Sequence, residues 1–421
     1  MTRQRTTYDE SMSLVGPRRS RGKRVALIVG AVVVLTTGFY LPMTLLAPIA
    51  PVTAEDRTPA ASSTRLPAEL AWPGTQASAI GSPDFPDLLQ SSGTTDQRPM
   101  ASITKVITTL VVLSVKPLAV GEQGPSITFS ASDVAMYSKY LAEDGAVQPV
   151  SVGESLSQLQ VNQVMLIASA NNYAESYATW AFGSEARFLT AARAWLTANG
   201  LTHTTIADTC GMNAGSTSTA SDLVALGKLA LASPVVAGIV STQRLSVPGV
   251  GNLHNSNDLL GVSGVDGIKT GTLENVGSNL LFSTVFQFGS RKVTVIGVIL
   301  GSVNKPTLDA AVTALLASVK NGFHDVTLST AGQEFASYST PWNSTSQAVA
   351  SKDESVLVWA DTPISTTVTA KPLALAKAGT AAGSVTFTVG KSTIVVPLDL
   401  KQSLSDPGAL WRLSNPLQLV G

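Results

Sequence analysis

Ser102 stands three residues ahead of Lys105 in the stretch Arg98-Pro99-Met100-Ala101-Ser102-Ile103-Thr104-Lys105-Val106-Ile107-Thr108. On a helix, residues three apart are surface neighbours, with Cβ atoms about 5–6 Å apart. An unprotonated lysine amine at that spacing reaches the serine hydroxyl and draws off its proton, which makes a weak nucleophile usable. A four-residue pattern with two fixed positions is common in chains of this length, so its chemistry depends on what else the sequence carries. Two more polar groups follow in order. Ser169-Ala170-Asn171 offers a hydroxyl and an amide two residues apart, and taken alone reads better as a polar turn between helices. Lys269-Thr270-Gly271-Thr272 follows Gly264-Val265-Asp266-Gly267-Ile268, which looks like a strand entering a tight, glycine-relieved segment, and puts a cation and two hydroxyls around a residue with no side chain.

The elements that must position these groups can be read from periodicity. The run after Ser102 is rich in β-branched residues, which favours a strand, yet positions 103, 106, 107, 110, 111 and 113 are apolar at helical spacing. A helix buried nearly all round and ending near Pro117 is predicted, with Ser102 and Lys105 at its N-terminal mouth. Ser155 to Trp180, Glu185 to Asn199, Ser218 to Leu231 and Asp309 to Val319 read as further helices. Gln76 to Ile80, Leu280 to Phe286 and Lys292 to Leu300 read as strands, the last two joined by the short loop Phe288-Gly289-Ser290-Arg291. Helices on both sides of an antiparallel sheet, an α+β architecture, is the expected fold. Asp325 onward changes to short β-branched runs separated by Gly, Pro and Lys, which suggests a small all-β, sandwich-like domain over 325–421. Trp342, Trp359 and Trp411 are expected to be packing residues.

Composition narrows the chemistry. The 421 residues carry no net charge, but seven Lys/Arg against Asp9 and Glu10 occupy residues 1–24, which leaves the remainder acidic, with 21 basic and 26 acidic side chains. No basic patch survives beyond that segment, so nucleic acid is not an expected partner. Cys210 is the single cysteine, which excludes an intrachain disulfide and a thiolate zinc cluster. His203, His254 and His324 lack metal-ligand spacing, so neither a metal nor a cofactor is implied. One histidine would suffice for a Ser-His-Asp triad, but no Gly-x-Ser-x-Gly elbow recommends it.

Residues 25–50 contain no charge, and a spanning helix needs about 20 apolar residues. The basic segment before them favours an N-terminus held in the cytoplasm and export of everything downstream. Val52-Thr53-Ala54 also resembles a cleavage site; the length of the apolar core favours an uncleaved anchor over a signal peptide. The expected organisation is a basic cytoplasmic segment (1–24), a single-pass transmembrane anchor (25–47), a Pro-rich linker (48–73), a catalytic domain (74–324) and the β-domain, with the catalytic domain outside the cytoplasm at the cell membrane.

Ser-x-x-Lys, Ser-x-Asn and Lys-Thr-Gly in this order form the signature of class A β-lactamases and penicillin-binding proteins. With the flanks RPMASITKVITTLVV, VMLIASANNYAES, NLHNSNDLL and GVDGIKTGTLENVG, residues 74–324 resemble the D-alanyl-D-alanine carboxypeptidases, low-molecular-weight penicillin-binding serine peptidases. Residues 326–421 resemble that family's C-terminal β-domain. The resemblance implies a β-lactamase/transpeptidase-like fold, peptidoglycan stem peptides as substrates and β-lactams as inhibitors. It implies Ser102 as nucleophile, Lys105 as general base and Ser169 as proton relay. Asn171 would bind the substrate amide and position Lys105, Lys269 and Thr270 would hold the substrate carboxylate, and Gly271 would let the substrate backbone approach. Backbone N–H groups of Ser102 and Thr272 would form the oxyanion hole. Thr272 stands where some relatives have histidine. Gly301 to Pro306 lacks the carboxylate-binding arginine of others, where Lys305 offers a point charge without the bidentate fork. A D,D-endopeptidase remains open as a variant. A β-lactamase is disfavoured by the missing Glu-x-x-Leu-Asn element, and an inert wall-binding scaffold by the intact motifs. Oligomeric state is not legible.

Overall fold

The β-branched run behind Ser102 folds as a helix. A single 3-10 turn, Ala101–Ile103, leads into Thr104–Val115, and every residue from Thr104 to Val112 is buried. Burial of the whole circumference outweighs the weak strand preference of its residues. The threonines keep their hydroxyls bonded inside the core: Thr104 Oγ1 donates to Ala101 O at 2.8 Å and Thr109 Oγ1 to Lys105 O at 2.9 Å.

The computed structural model describes residues 1, 21–58, 67–86 and 88–419. Most of the basic segment 1–24, and residues 59–66 of the Pro-rich stretch, lie outside the described residues. Taken over the described residues, the chain divides into two compact units. One gathers Thr64–His324 with Leu357–Thr362; the other gathers Met1–Ser63, Asp325–Val356 and Pro363–Gly421.

The unit holding Ser102 is built on a five-stranded antiparallel sheet in the order Val265–Leu273, Gly277–Phe288, Arg291–Ser302, Ala77–Gly81, Leu89–Gly93. Its two faces bury different cores, as a period of two requires. Leu281, Ile296 and Val298 join the helix Thr104–Val115 and its helical neighbours, whereas Leu280, Phe282, Val295 and Ile299 pack with Leu308, Val312, Leu315 and Leu316 of helix Lys305–Asn321. That helix starts four residues before the predicted Asp309, because the Asn304 side chain caps it by accepting from Thr307 N at 2.9 Å and Pro306 occupies its first turn. Leu89–Gly93, too polar to carry a strand pattern, forms one edge strand, beside Ala77–Gly81. The expected helical region Ser155 to Trp180 is two helices, Gln158–Ile167 and Asn171–Phe182. A Ser157–Gln160 capping box fixes the first helix start, and the break falls at Ser169.

In the other unit, six antiparallel strands run in the order Glu55–Asp56, Glu334–Ser339, Thr345–Ala350, Ser392–Leu400, Ala381–Val389, Ile364–Ala370. Part of the stretch read as linker thus pairs as an edge strand, and Val52 bridges Leu373. Arg21–Leu45 is a 25-residue helix long and apolar enough to cross a membrane. The C-terminal helix Gly408–Ser414 packs against its end: Tyr40 Oη donates to Leu413 O and Arg412 Nη1 to Ala47 O, both at 2.7 Å. Trp342 and Trp411 meet edge to face, 5.3 Å between ring centroids, whereas Trp359 belongs to the core of the first unit.

Candidate active site

Ser102 sits in the tight turn that opens its helix. Ala101 before it holds φ +48°, a left-handed conformation rare for a side-chain-bearing residue, so the chain is forced into the turn that projects Ser102 from the helix mouth. Lys105 is 0% exposed, and its Nζ lies 2.8 Å from Ser102 Oγ. The amine also donates to Cys210 O at 2.9 Å. Burial lowers its pKa to about 8, against the opposing influence of Cys210 and Asp208, which favour the charged form. A neutral Lys105 next to the hydroxyl is the state a proton acceptor requires.

The second hydroxyl is also presented by a strained backbone. Ser169 has φ +59° and lies in the break between Ile167 and Asn171, where the residues taken alone read as a polar turn between helices. Asn171 then begins the next helix, which packs against the nucleophile helix. Its backbone N–H donates to Ala146 O at 2.7 Å, and its Oδ1 is buried with no hydrogen-bond partner. An unpartnered buried carbonyl is costly, which marks it as an acceptor kept free. Lys105 Nζ makes its hydrogen bonds to Ser102 Oγ and Cys210 O and none to Asn171. Gly145 closes over the amide: a Cβ there would lie 2.5 Å from Asn171 Nδ2.

Lys269, Thr270, Gly271 and Thr272 lie on Val265–Leu273, the edge strand of the sheet, which packs against the Ser102 turn. Gly271 is bare for a reason the sequence does not reveal. A Cβ would meet Met100 O at 2.8 Å, Ala101 Cβ at 3.0 Å and Ser102 N at 3.1 Å, so the close approach is to the nucleophile turn itself. Lys269 is 1% exposed, and its Nζ contacts Ser256 Oγ and Thr270 Oγ1, each at 3.3 Å. Burial, and after it the charges of Lys105 and Lys305, hold its pKa well below the ordinary lysine range. Ser256 Oγ and Thr270 Oγ1 share a hydrogen bond, and Ser256 N donates to Ile167 O at 3.3 Å, which ties this corner to the helix end before Ser169. Lys305 Nζ reaches Ser256 O at 2.7 Å and Asp258 Oδ2 at 2.5 Å. Thr272 is exposed beyond this corner.

Three contributors escaped sequence reasoning. Cys210 acts through its carbonyl, Asp208 through its hydrogen bonds to the same loop, and Ser256 lies in NLHNSNDLL, where only the polar character of the stretch signals it. A backbone carbonyl has no side-chain signature, so no pattern could have singled out the first. Among the described residues no group of His, Cys, Asp and Glu is arranged to hold a metal ion.

The profile of the D-alanyl-D-alanine carboxypeptidase family matches residues 87–304, a span containing all three motifs. No curated protein sequence matches the chain. Among solved structures, the D-alanyl-D-alanine carboxypeptidase DacD from Francisella tularensis aligns at 18% identity over 82% of this chain and 97% of its own, with a TM-score of 0.57. Penicillin binding protein 5 from Haemophilus influenzae aligns at 18% identity over 81% of this chain and 99% of its own, with a TM-score of 0.56. The Streptomyces K15 DD-transpeptidase aligns at 21% identity over 59% and 98%, with a TM-score of 0.52. These likenesses establish the shared fold.

Proposed function

The chain belongs to the D-alanyl-D-alanine carboxypeptidase family of serine peptidases, and from that premise we propose that it removes the terminal D-alanine of peptidoglycan stem peptides through an acyl-enzyme on Ser102. The observation that carries this reading is the dehydrated Lys105 amine 2.8 Å from Ser102 Oγ. With a pKa of about 8, about one amine in ten is neutral at pH 7; at the ordinary 10.5 the fraction would be about one in 3,000. Neutral Lys105 accepts the Ser102 proton as Oγ bonds to the carbonyl carbon of the scissile D-Ala–D-Ala peptide. Charge gathers on the carbonyl oxygen, where the backbone N–H groups of Ser102 and Thr272 would receive it. The nearness of Gly271 to Ser102 N supports that pairing. Ser169 relays a proton to the leaving amine, free D-alanine departs, and water hydrolyses the ester.

Substrate binding follows from the same corner. The open edge of Val265–Leu273 suits an extended peptide added as a further strand. Asn171 Oδ1 would accept the peptide N–H for which it has no internal partner. Lys269 and Thr270, with Ser256 and Lys305 behind them, make an amine- and hydroxyl-lined seat for the terminal carboxylate, whose charge would favour protonation of Lys269. A β-lactam offers the same carboxylate and a strained amide, and would leave Ser102 acylated. The Arg21–Leu45 helix, with basic residues before it, would hold the enzyme to the membrane as a single-pass anchor, the site outside the cytoplasm. The β-unit would space or orient the site.

The test uses the full chain in detergent with a fluorescent penicillin and, in parallel, a stem pentapeptide. Covalent labelling and D-alanine release are expected in the wild type, and neither in Ser102→Ala. Labelling that survives Ser102→Ala, or no D-alanine release from the wild type, refutes the assignment.

A further inference from the structure

The loop from Asp208 to Ser216 touches the nucleophile helix at successive residues. Thr209 O accepts from Thr108 Oγ1 at 2.7 Å, Cys210 O accepts from Lys105 Nζ at 2.9 Å, and Gly211 lies flat on the Ser102 turn. At Gly211, whose φ is +85°, a Cβ would fall 1.9 Å from Ala101 O. At its far end, Ser216 O accepts from Met100 N at 3.0 Å, so both sides of the Ser102 turn are held by one short segment. The loop has no regular secondary structure to shape it. Its shape comes from one carboxylate: Asp208 Oδ1 accepts from Gly211 N and Ser216 Oγ, each at 2.8 Å, and Oδ2 accepts from Asn213 N at 2.9 Å. Ser216 is fully buried, and its hydroxyl also accepts from Ala207 N at 3.1 Å, which closes the loop on itself.

We propose that Asp208 is a positioning residue for Lys105, folding the 208–216 loop so that the Cys210 carbonyl aims the amine at Ser102 Oγ. Asp208 touches neither substrate nor reacting atoms. It acts through the carbonyl that takes one Lys105 hydrogen, so that the lone pair of the neutral amine can face the serine hydroxyl. The inference rests on Lys105 being the proton acceptor for acylation.

The carboxylate also sets the local field. The titratable groups facing the amine are Asp208 and Cys210 from the loop and Lys269 from the edge strand, with Tyr140 behind Cys210 and Glu185 facing Asp208. Of these, Cys210 and Asp208 favour the protonated amine, and the Lys105 charge in turn lowers the pKa of Lys269. Removing the Asp208 charge therefore moves Lys105 further toward its neutral form.

The test measures second-order acylation by a fluorescent penicillin from pH 6 to 10 on the full chain in detergent. Asp208→Asn keeps the shape, turns one acceptor into a donor and removes the charge. Its plateau rate is expected to fall about tenfold or more, because small misplacements of a reacting group carry penalties of this size. Its acid limb is expected at lower pH than in the wild type. An acid limb at the wild-type pH, whatever happens to the melting temperature, is what a purely structural carboxylate would give, and overturns the proposal. Ser216→Ala withdraws one hydrogen bond from Asp208 and keeps its charge. Its plateau is expected to drop about threefold with the limb unmoved, and an unchanged plateau overturns the proposal even where Asp208→Asn fails to fold. A wild type that is not acylated at all refutes instead the acyl-enzyme reading.

Discussion

Replacing Lys105 with methionine removes a buried amine and keeps the length of its stem, which should destroy acylation and raise stability together. Lys105 is fully buried, and its pKa falls from 10.5 to about 8 because burial disfavours the charged form. At about 1.4 kcal/mol for each tenfold change, holding the protonated amine in the folded chain at pH 7 costs about 3 kcal/mol. Methionine never incurs that cost. It does leave the Cys210 carbonyl without the hydrogen bond it now receives at 2.9 Å, a loss of about 1–2 kcal/mol. The net gain at pH 7 is then about 1–2 kcal/mol, or about 2–8 °C in melting temperature. The folded pKa lies below the unfolded one, so the cost is complete below about pH 8 and fades as pH rises from about 8 toward 10.5. Melting curves of both proteins from pH 7 to 10 measure the gap between them. The variant should lead at pH 7, and the wild type should catch up as pH rises. A gap that stays constant over that range refutes the account of a dehydrated, largely protonated amine.

Gly271→Ala places a Cβ 2.8 Å from Met100 O, so the edge strand and the Ser102 turn must part; acylation should fall by more than tenfold, with about 1–3 kcal/mol lost in denaturant unfolding. Asn171→Ala removes a buried oxygen that has no internal partner. Its kcat/KM for pentapeptide should drop about 100-fold while its melting temperature moves by no more than a few degrees, and a large stability loss with normal kcat/KM would contradict the acceptor role. Lys305→Ala deletes the cation held 2.7 Å from Ser256 O. Steady-state kinetics should show a KM raised about three- to tenfold with kcat little changed, and Lys305→Arg should recover it.

The residues themselves determined much of this protein. The order Ser102-x-x-Lys105, Ser169-x-Asn171, Lys269-Thr270-Gly271 pointed to the family, because the proposed nucleophile, base and carboxylate seat would each require a particular side chain. Apolar runs and their spacing placed the helix Thr104–Val115 and the strands Gly277–Phe288 and Arg291–Ser302, because an element buried on every side must be largely apolar. The uncharged run at residues 25–50 was equally plain. Elements with weak patterns were not legible. Leu89–Gly93 is polar and short, and becomes a strand only beside Ala77–Gly81.

Tertiary structure alone decided how Lys105 is held and why its amine has a lowered pKa. The Cys210 carbonyl reaches Lys105 from 105 residues away, on a loop shaped by Asp208. Gly271 is bare because the Met100–Ser102 backbone passes over it, whatever substrate it also admits. The lowered pKa of Lys105 belongs to no residue type. It is the energy of keeping an ammonium group away from water, and that exists only once the surrounding chain has closed over it.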